Sequence, residues 1–356
     1  MKLHFPNSYA EIDLQTITQN LQELKRRTGV EKILSVVKCN AYGHGAVQVA
    51  RRAEEDVDWF GVASVDEAIE LRMEGIKKSI LVFEVPSSHN AAAYQTHGLT
   101  ATISDFAHFS ILMDGTRYHL NFNTGMNRLG FHTSQAEDVR KMAVASPRLV
   151  CTGIYSHFAT ADDPGSEYVY TQHERFRSLL NNFDEIPLVH MSNTGAGVHY
   201  DIDHFNMIRT GLTQLGYTAG KKQPDWLKPV LTWKSRLAQV RKITKGESVS
   251  YGGTWTASDD GYIGTLPVGY GDGVPRSLSN KLQVLVEGDF YPIVGNVTMD
   301  YIMIKLGPKK LPVDEEVTLM GGNAWNAAQW ADAAGTNVHE ILTGLSNRMA
   351  RNYIDF

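Results

Sequence analysis

The sequence predicts an α/β protein in which a (β/α)8 barrel of the TIM type precedes a mainly β C-terminal domain. Three observations lead to this prediction. Between residue 32 and about residue 210, eight short β-branched and apolar runs alternate with helical stretches, which is typical of parallel strands. Eight strands are the number that closes a barrel of this kind. Beyond Pro224 and Pro229 helical stretches become rare, and strand-like runs with glycine, proline or charged turns follow.

The barrel strands are predicted where β-branched and aromatic residues cluster. In chain order they are Lys32–Lys38, Trp59–Ser64, Ser79–Glu84, Thr100–Ser104, Arg117–Asn123, Leu149–His157, Pro187–Asn193 and Phe205–Arg209. Amphipathic helices are predicted between them at Ala46–Asp56, Asp66–Gly75, Ser134–Ser146 and Tyr168–Asn182, and another, Leu14–Arg27, precedes the first strand.

The second domain is predicted to begin where the chain turns from alternating strands and helices to strands alone. Its strands are Leu231–Ile243, Gly261–Pro267, Lys281–Glu287, Tyr291–Val297, Tyr301–Leu306 and Glu316–Met320. One helix, Ala324–Ala334, and a last segment, Val338–Asn352, close the chain. We therefore predict a barrel domain at residues 1–229 and a mainly β domain at residues 230–356.

The charge pattern limits the partners of the protein. The net charge is −5, and the 21% of residues that are charged form no long runs, which argues against nucleic acid or an anionic membrane as a partner. The first residues lack the apolar core of a signal peptide, and no stretch approaches the length of a membrane span, so we expect a cytoplasmic protein. Cys39 and Cys151 predict neither a disulfide framework nor a metal site.

Lys38 is a candidate reactive amine because it ends an apolar strand and is followed by a turn containing Gly43 and Gly45. Partial burial lowers the pKa of a lysine and favours the neutral, nucleophilic amine that forms a Schiff base. An ordinary surface lysine at a strand end is the alternative interpretation. Tyr42, four residues later, favours the reactive one, because its phenol can bind the phosphate of a cofactor whose aldehyde the lysine holds.

Two glycine-containing turns predict a phosphate site. Asn193–Gly197 and Arg209–Leu212 follow the seventh and eighth strands, where barrels often bind a phosphate on backbone N–H groups and the start of a short helix. Together with Lys38 and Tyr42 they indicate pyridoxal 5'-phosphate (PLP). The predicted phosphate and cofactor contacts in these turns are Asn193, Thr194, Gly211 and Leu212.

Other polar residues also follow the carboxyl ends of predicted strands, where barrel enzymes collect their functional groups. Arg128 follows the fifth strand, His157 ends the sixth and Arg209 ends the eighth. We expect all of them to face the same end of the barrel as Lys38.

Several segments, in order, resemble those of the alanine racemase family over nearly the whole chain. They are Tyr9–Leu14, Ser35–Gly45, Asn123–Gly130, Tyr155–Asp162, Val249–Trp255, Val268–Gly273, Val297–Asp300 and Arg348–Tyr353. The resemblance implies a PLP-dependent racemase that interconverts L- and D-alanine. Racemisation then needs a base on each face of the substrate carbanion, and the resemblance implies Lys38 for the D-enantiomer and Tyr251 for the L-enantiomer.

The resemblance also implies roles around these two bases. Arg128 contacts the substrate carboxylate and the phenolic oxygen of the cofactor, Arg209 faces the pyridine nitrogen, and Tyr353 binds the phosphate. Arg209 keeps its proton, so it weakens the cofactor as an electron sink and discourages side reactions. The remaining implied site residues are His157 beside Tyr251, His190 paired with Arg209, Tyr270 and Met299 at the entrance, with Met299 touching the substrate, and Asp300 in a supporting role.

A homodimer with shared active sites is a further implication, in which the β domain of one subunit reaches the barrel of the other. The chain departs from the family pattern at Asn121 and Asn123, where a carbamylated lysine and an aspartate are usual. We therefore expect Arg128 to be held by neutral hydrogen bonds or a halide. It also departs at Leu215, Asn296 and Tyr301. A racemase that prefers serine or another small amino acid, and a non-catalytic PLP carrier, remain alternatives.

Overall fold

In a computed structural model, which describes residues 8–183, 186–220 and 223–355, the chain divides into two compact units. One unit is Ile17–Leu227, and the other consists of residues 1–16 and 228–356. The first is a nearly closed parallel barrel with helices and the second is mainly β, so the predicted fold class is confirmed.

Eight strands form the barrel, labelled here in chain order with the strands of the other unit. They are β2 (Lys32–Val36), β3 (Trp59–Val62), β4 (Ser79–Val82), β5 (Thr100–Ile103), β6 (Arg117–Asn123), β8 (Val150–Tyr155), β9 (Leu188–His190) and β10 (Met207–Thr210), with a short β7 (Phe131–His132) beside β6. The hydrogen-bonded order is β10-β2-β3-β4-β5-β6-β8-β9. The two end strands, β10 and β9, approach each other through hydrogen bonds from Asn206 N to Val189 O at 3.3 Å and from Arg209 N to Ser192 O at 3.0 Å. These bonds nearly close the ring.

The helices of this unit follow the strands. They are α1 (Leu14–Thr28, which begins in the other unit), α3 (Ala46–Ala53), α4 (Val65–Met73), α5 (Ala91–Thr96), α6 (His108–Ile111), α7 (Ala136–Val144), α8 (Glu167–Leu180) and α9 (Thr194–His199), with α2 (Lys38–Tyr42) a left-handed turn. The predicted strands and helices lie within a few residues of these bounds. Strands such as β5 are buried at every position, which explains their continuous apolar and β-branched runs.

The described residues of the second unit form three sheets. The largest has the order β17 (Asp289–Pro292), β16 (Gln283–Val286), β19 (Glu316–Met320), β11 (Leu231–Arg236), β1 (Ser8–Asp13) and β20 (Ala350–Ile354). The others pair β12 (Gln239–Ile243), β15 (Gly261–Leu266) and β18 (Ile302–Gly307), and β13 (Ser248–Val249) with β14 (Trp255–Thr256). The helices are α10 (Ala327–Ala334) and α11 (Val338–Thr343).

The first strand differs from the predicted division at 229/230. β1 pairs antiparallel with β11 and parallel with β20, so it belongs to the β unit although it opens the chain. Its alternating burial, with Ala10 and Ile12 fully enclosed, is typical of a strand with one face on a core. The long strand predicted at Leu231–Ile243 is two strands, because Leu237 and Ala238 bond to Glu315 and Thr265 of different neighbours.

In the described part of the chain, no helix has the length and apolar character needed to cross a bilayer.

Candidate active site

Lys38 stands at the start of an unusual turn directly after β2. The next four residues, Cys39 to Tyr42, have φ between 49° and 54°, a left-handed conformation that costs about 1–2 kcal/mol per residue. Hydrogen bonds hold the turn: Asn40 accepts from the backbone N–H groups of Gly45 and Ala46 at 2.9 and 2.8 Å, and Glu67 accepts from Cys39 N at 2.6 Å. Lys38 therefore projects from a rigid segment.

The amine of Lys38 lies in an environment that favours its neutral form. Burial is the main cause that lowers the pKa of Lys38; Cys39 opposes it, Arg128 acts in the same direction as burial, and Glu67 opposes it least. A lysine with a lowered pKa is a better nucleophile and base near neutrality.

The two glycine turns meet Tyr42 in the same region of the barrel. Gly211 N donates to Thr194 Oγ1 at 3.3 Å, which joins the turn after β10 to the turn after β9. Asn193 begins α9 and accepts from Ala196 N at 3.0 Å. A Cβ at Gly211 would lie only 2.7 Å from Cζ of Tyr42, so glycine is required for the phenol to pack there. The hydroxyls of Tyr42 and Thr194 therefore lie in one region, where both can donate to a phosphate.

Arg209 is the centre of a buried hydrogen-bond network. Its side chain is 3% exposed, and it donates to His190 Nδ1 at 2.7 Å and to His157 Nδ1 at 3.0 Å. It also donates to the carbonyls of Ser156 at 2.8 Å and Met191 at 3.0 Å. Since a guanidinium only donates, each histidine accepts at Nδ1 and carries its proton on Nε2. Burial and the charge of Arg209 hold the pKa of both histidines well below the ordinary value.

Among the described residues, two N–H groups of Arg209 remain available, one on Nε and one on Nη1, which makes a single bond. Burial lowers the pKa of Arg209 to about 10, so the side chain stays charged at neutral pH. A fixed, protonated donor fits a ring nitrogen that accepts a hydrogen bond, which is the arrangement expected for the pyridine of PLP.

His119 on β6 is a member of this network that the sequence analysis did not identify. It is fully buried, and its Nδ1 lies 2.9 Å from His190 Nε2, so it accepts the proton that His190 carries there. Its own Nε2 then carries a proton with no partner among the described residues and packs against Gly153. In a strand, residues two positions apart point to the same face. The sequence could therefore have identified His119 from its position two residues before Asn121.

Tyr155 at the end of β8 was also not identified as a site residue. Its ring stacks on His190 with centroids 4.9 Å apart and an interplanar angle of 7°. The guanidinium of Arg209 lies 5.2 Å from the centroid of the same ring. Tyr155 therefore helps to fix both partners in place.

Arg128 follows β6 with an exposed guanidinium that makes no hydrogen bond or ion pair to any described residue. Of the two arrangements predicted for Arg128, neutral hydrogen bonds are not formed among the described residues, and a bound halide stays a prediction. Its charge acts to lower the pKa values of Lys38, His157 and Arg209. Asn121 is buried in β6.

Tyr251 in the β unit projects from a tight turn with its side chain 76% exposed. Ser250 and Gly252 have φ of 66° and 75°, and Asn296 holds the turn. Asn296 Nδ2 donates to Tyr251 O and Ser250 Oγ donates to Asn296 O, both at 2.7 Å. Asn296, which departs from the family pattern, therefore supports the turn of the candidate base.

The other predicted residues of the β unit lie on two paired segments. Tyr270 N donates to Thr298 O at 2.9 Å, which places Tyr270 beside the segment of Met299 and Asp300. Arg348 donates to Asp300 Oδ1 at 2.9 Å. Tyr251 and Thr298 also line a cavity of about 510 Å³ within this unit. Tyr353 lies on β20 opposite Ile12 of β1.

The two units thus divide the predicted site residues between them. The barrel carries Lys38, Tyr42, Arg128, His157, His190, Asn193, Thr194, Arg209, Gly211 and Leu212, and the β unit carries Tyr251, Tyr270, Met299, Asp300 and Tyr353.

Comparison with known proteins gives matches over both units. The family model for the alanine racemase N-terminal domain matches residues 12–219, and that for the C-terminal domain matches residues 230–353. An alanine racemase of Symbiobacterium thermophilum is 38% identical over 365 aligned residues, covering 97% of each chain. The crystal structure of alanine racemase from E. faecalis is 33% identical, with a TM-score of 0.92 and 98% of each chain covered. An alanine racemase structure from Clostridium difficile 630 is 29% identical, with a TM-score of 0.93 and coverage of 99% of this chain and 97% of the other.

Proposed function

This chain belongs to the alanine racemase family, and we propose that it is a PLP-dependent racemase that interconverts L- and D-alanine. The observation that carries the proposal is Arg209, a buried cation held by two neutral histidines with its Nε–H left to donate. An arginine at this position, in a barrel that also presents Lys38, favours racemisation over reactions that need a protonated pyridine ring.

The residues of the barrel would hold PLP at both ends. Lys38 would bind it covalently, Tyr42, Thr194 and the backbone at Gly211 would hold its phosphate, and Arg209 would face its ring nitrogen. Asn193, Leu212 and His157 would complete the binding site, with Tyr353 as a further phosphate ligand. When bound, PLP acidifies the Cα–H of the amino acid joined to it.

Two groups would move the Cα proton. Lys38 has a lowered pKa, which suits an amine that takes and returns a proton near neutrality. Tyr251 would act on the opposite face, and its proton would be exchanged under the influence of His157, whose Nδ1 is occupied by Arg209. Lys38 would act on the D-enantiomer and Tyr251 on the L-enantiomer.

Arg128 would bind the substrate carboxylate, since its guanidinium is not used by any described residue. Met299 would contact the substrate side chain, and Tyr270 and Asp300 would limit access. Arg348 holds Asp300, which supports a fixed position for that carboxylate.

We further propose a homodimer in which Tyr251 of one subunit acts with Lys38 of the other. The exposure of Tyr251 supports a role outside its own unit. A cytoplasmic location stays a prediction of the sequence.

Two alternatives remain, of which the first is disfavoured by the family match and the second has a specific test. A non-catalytic PLP carrier would not need the C-terminal domain, whose family match over residues 230–353 argues against it. Preference for serine or another small amino acid is tested by a racemisation panel of alanine, serine, lysine and arginine.

The deciding experiment follows the optical rotation of L-alanine with the PLP-loaded protein. We expect rotation to fall to zero without gas release or keto-acid formation. Borohydride reduction and peptide mapping should label Lys38. Lys38→Ala should abolish both the loss of optical rotation and the borohydride label. Lys32→Ala, at the other end of β2, is the matched control and should keep both. Label on another lysine, or keto-acid formation, would contradict the proposal.

A further inference from the structure

The loop that carries Arg128 is held through its backbone. Asn123 Oδ1 accepts from Gly125 N at 2.9 Å and from Asn127 N at 3.0 Å, which closes the loop on itself. Arg128 itself has no partner among the described residues. The position of its guanidinium therefore depends on whatever fixes the backbone before it.

One face of α8 provides that fixation. Tyr168, Gln172 and Arg175 are spaced by four and three residues, so they lie on the same side of the helix. Tyr168 Oη donates to Gly125 O at 3.2 Å, and Arg175 Nη1 donates to Thr124 O at 3.0 Å. A Cβ at Gly125 would lie 2.9 Å from Cζ of Tyr168, so helix and loop are in close contact.

Gln172 makes the central contact, and its side chain is completely buried. Its Nε2 donates to Thr124 Oγ1 at 3.3 Å and to His157 O at 3.1 Å, and its Oε1 accepts from Ala159 N at 2.8 Å. The orientation of the amide is fixed, because a backbone N–H can only donate and a carbonyl can only accept. One amide thus joins the Arg128 loop to the segment that carries His157.

A second link runs beside the first. Thr124 Oγ1 lies 2.8 Å from Ser156 Oγ, and the carbonyl of Ser156 accepts from Arg209. The loop of Arg128 and the network of Arg209 are therefore connected through a continuous set of buried hydrogen bonds.

We propose that Gln172 is a positioning residue for the substrate carboxylate. It fixes the loop so that Arg128 is presented to the substrate at a set distance from His157, with Tyr168 and Arg175 supporting the same loop. The inference rests on the proposed function of Arg128. In this chain a neutral amide in the core does the positioning, while Asn121 makes no hydrogen bond to Arg128 among the described residues.

The test compares Gln172→Leu with the wild type, using propionate as a competitive inhibitor that carries a carboxylate but no amine. Leucine removes the two hydrogen bonds that Gln172 Nε2 donates and leaves the carbonyl of His157 without this partner. The propionate Ki and the KM for alanine should therefore rise about tenfold or more. The affinity for PLP should change less than twofold. Thr171→Ala, on the exposed side of α8, is the matched control and should leave Ki unchanged.

Two further measurements separate positioning from general damage. In cofactor-free protein, amides of residues 123–130 should exchange about tenfold faster in Gln172→Leu, while those of β2 should not change. In an Arg128→Gln background, Gln172→Leu should alter the propionate Ki less than twofold, because the residue through which it acts is gone.

Where Gln172→Leu fails to fold, Tyr168→Phe removes one loop hydrogen bond from a partly exposed ring and should raise the propionate Ki at least twofold. A wild-type protein that racemises alanine, together with foldable variants whose Ki and loop exchange stay within twofold, would overturn the inference. A wild-type protein without racemase activity would instead overturn the proposed function.

Discussion

Replacing Gly211 by alanine tests the phosphate site most directly. A Cβ at this position would lie 2.7 Å from Cζ and 2.8 Å from Cε2 of Tyr42, and closer still to the hydroxyl. Ordinary carbon contacts are about 3.5–4.0 Å, so the phenol must move by roughly 1 Å. Tyr42 is buried at the end of a left-handed turn, so its ring has little freedom to move.

The expected cost has two parts. Overpacking of this size destabilises a protein by about 1–3 kcal/mol, which predicts a fall of several °C in the melting temperature of the cofactor-free protein. Loss of the Tyr42 hydroxyl from the phosphate removes a hydrogen bond to a charged group, worth about 1.5–3 kcal/mol, or roughly 10- to 150-fold in PLP affinity.

The assay titrates PLP into cofactor-free protein and follows absorbance, with thermal melting measured in parallel. Tyr42→Phe should reproduce the loss of affinity but not the loss of stability. Gly165→Ala, before α8, is the matched control, because a Cβ there would lie more than 4 Å from every heavy atom of the described residues outside its chain neighbours. A Gly211→Ala protein with wild-type melting temperature and PLP affinity would show that Tyr42 is not displaced from a phosphate site.

Three other predictions concern the bases, the substrate arginine and pH. Lys38→Ala and Tyr251→Phe homodimers should each be nearly inactive. When the two variants are co-refolded, the mixed dimers should recover up to about half of the activity of wild-type dimers. Mixtures that exchange subunits and stay inactive would exclude a shared site. Activity should not depend on bicarbonate at fixed pH, because the amide of Asn121 cannot become a carbamate, and a clear requirement would contradict this. Burial and the charge of Arg209 lower the pKa of His119 to about 3, whereas the unfolded chain titrates near 6.5. As the pH falls, protons therefore bind His119 in the unfolded chain before they bind it in the folded protein. Its contribution to the free energy of unfolding is fully present above about pH 6.5 and should fall by about 2 kcal/mol at pH 5. Urea unfolding at pH 7.5 and pH 5 gives the change in the free energy of unfolding between the two pH values. This change should be smaller in His119→Phe than in the wild type, and an equal change would count against the contribution of His119.

The sequence predicted the barrel because its strands have a local signal. Runs of β-branched and apolar residues such as that of β5 identify strands buried on both faces, and the helices between them carry the apolar period of 3.6 residues. The break between β11 and β12 has no such signal. Leu237 and Ala238 continue the apolar pattern, and only their bonds to Glu315 and Thr265 divide the run between two sheets.

The membership of β1 in the β unit was likewise decided by pairing at long range. Ala10 and Ile12 predict a strand with one buried face but not the strand that will lie beside it. The partners, β11 and β20, come more than 200 residues later in the chain. Local pattern carries no information on such pairing.

The residues at the carboxyl ends of the barrel strands can be predicted without the three-dimensional structure. Lys38, His157 and Arg209 could be named because parallel strands in a barrel end on the same side. The tertiary structure decided what fixes these side chains: His119 meets His190 across 71 residues, and Gln172 meets Thr124 across 48. The physical reason is that a buried polar group must find its hydrogen-bond partner in space, and which distant residue satisfies it is set only when the strands and helices pack.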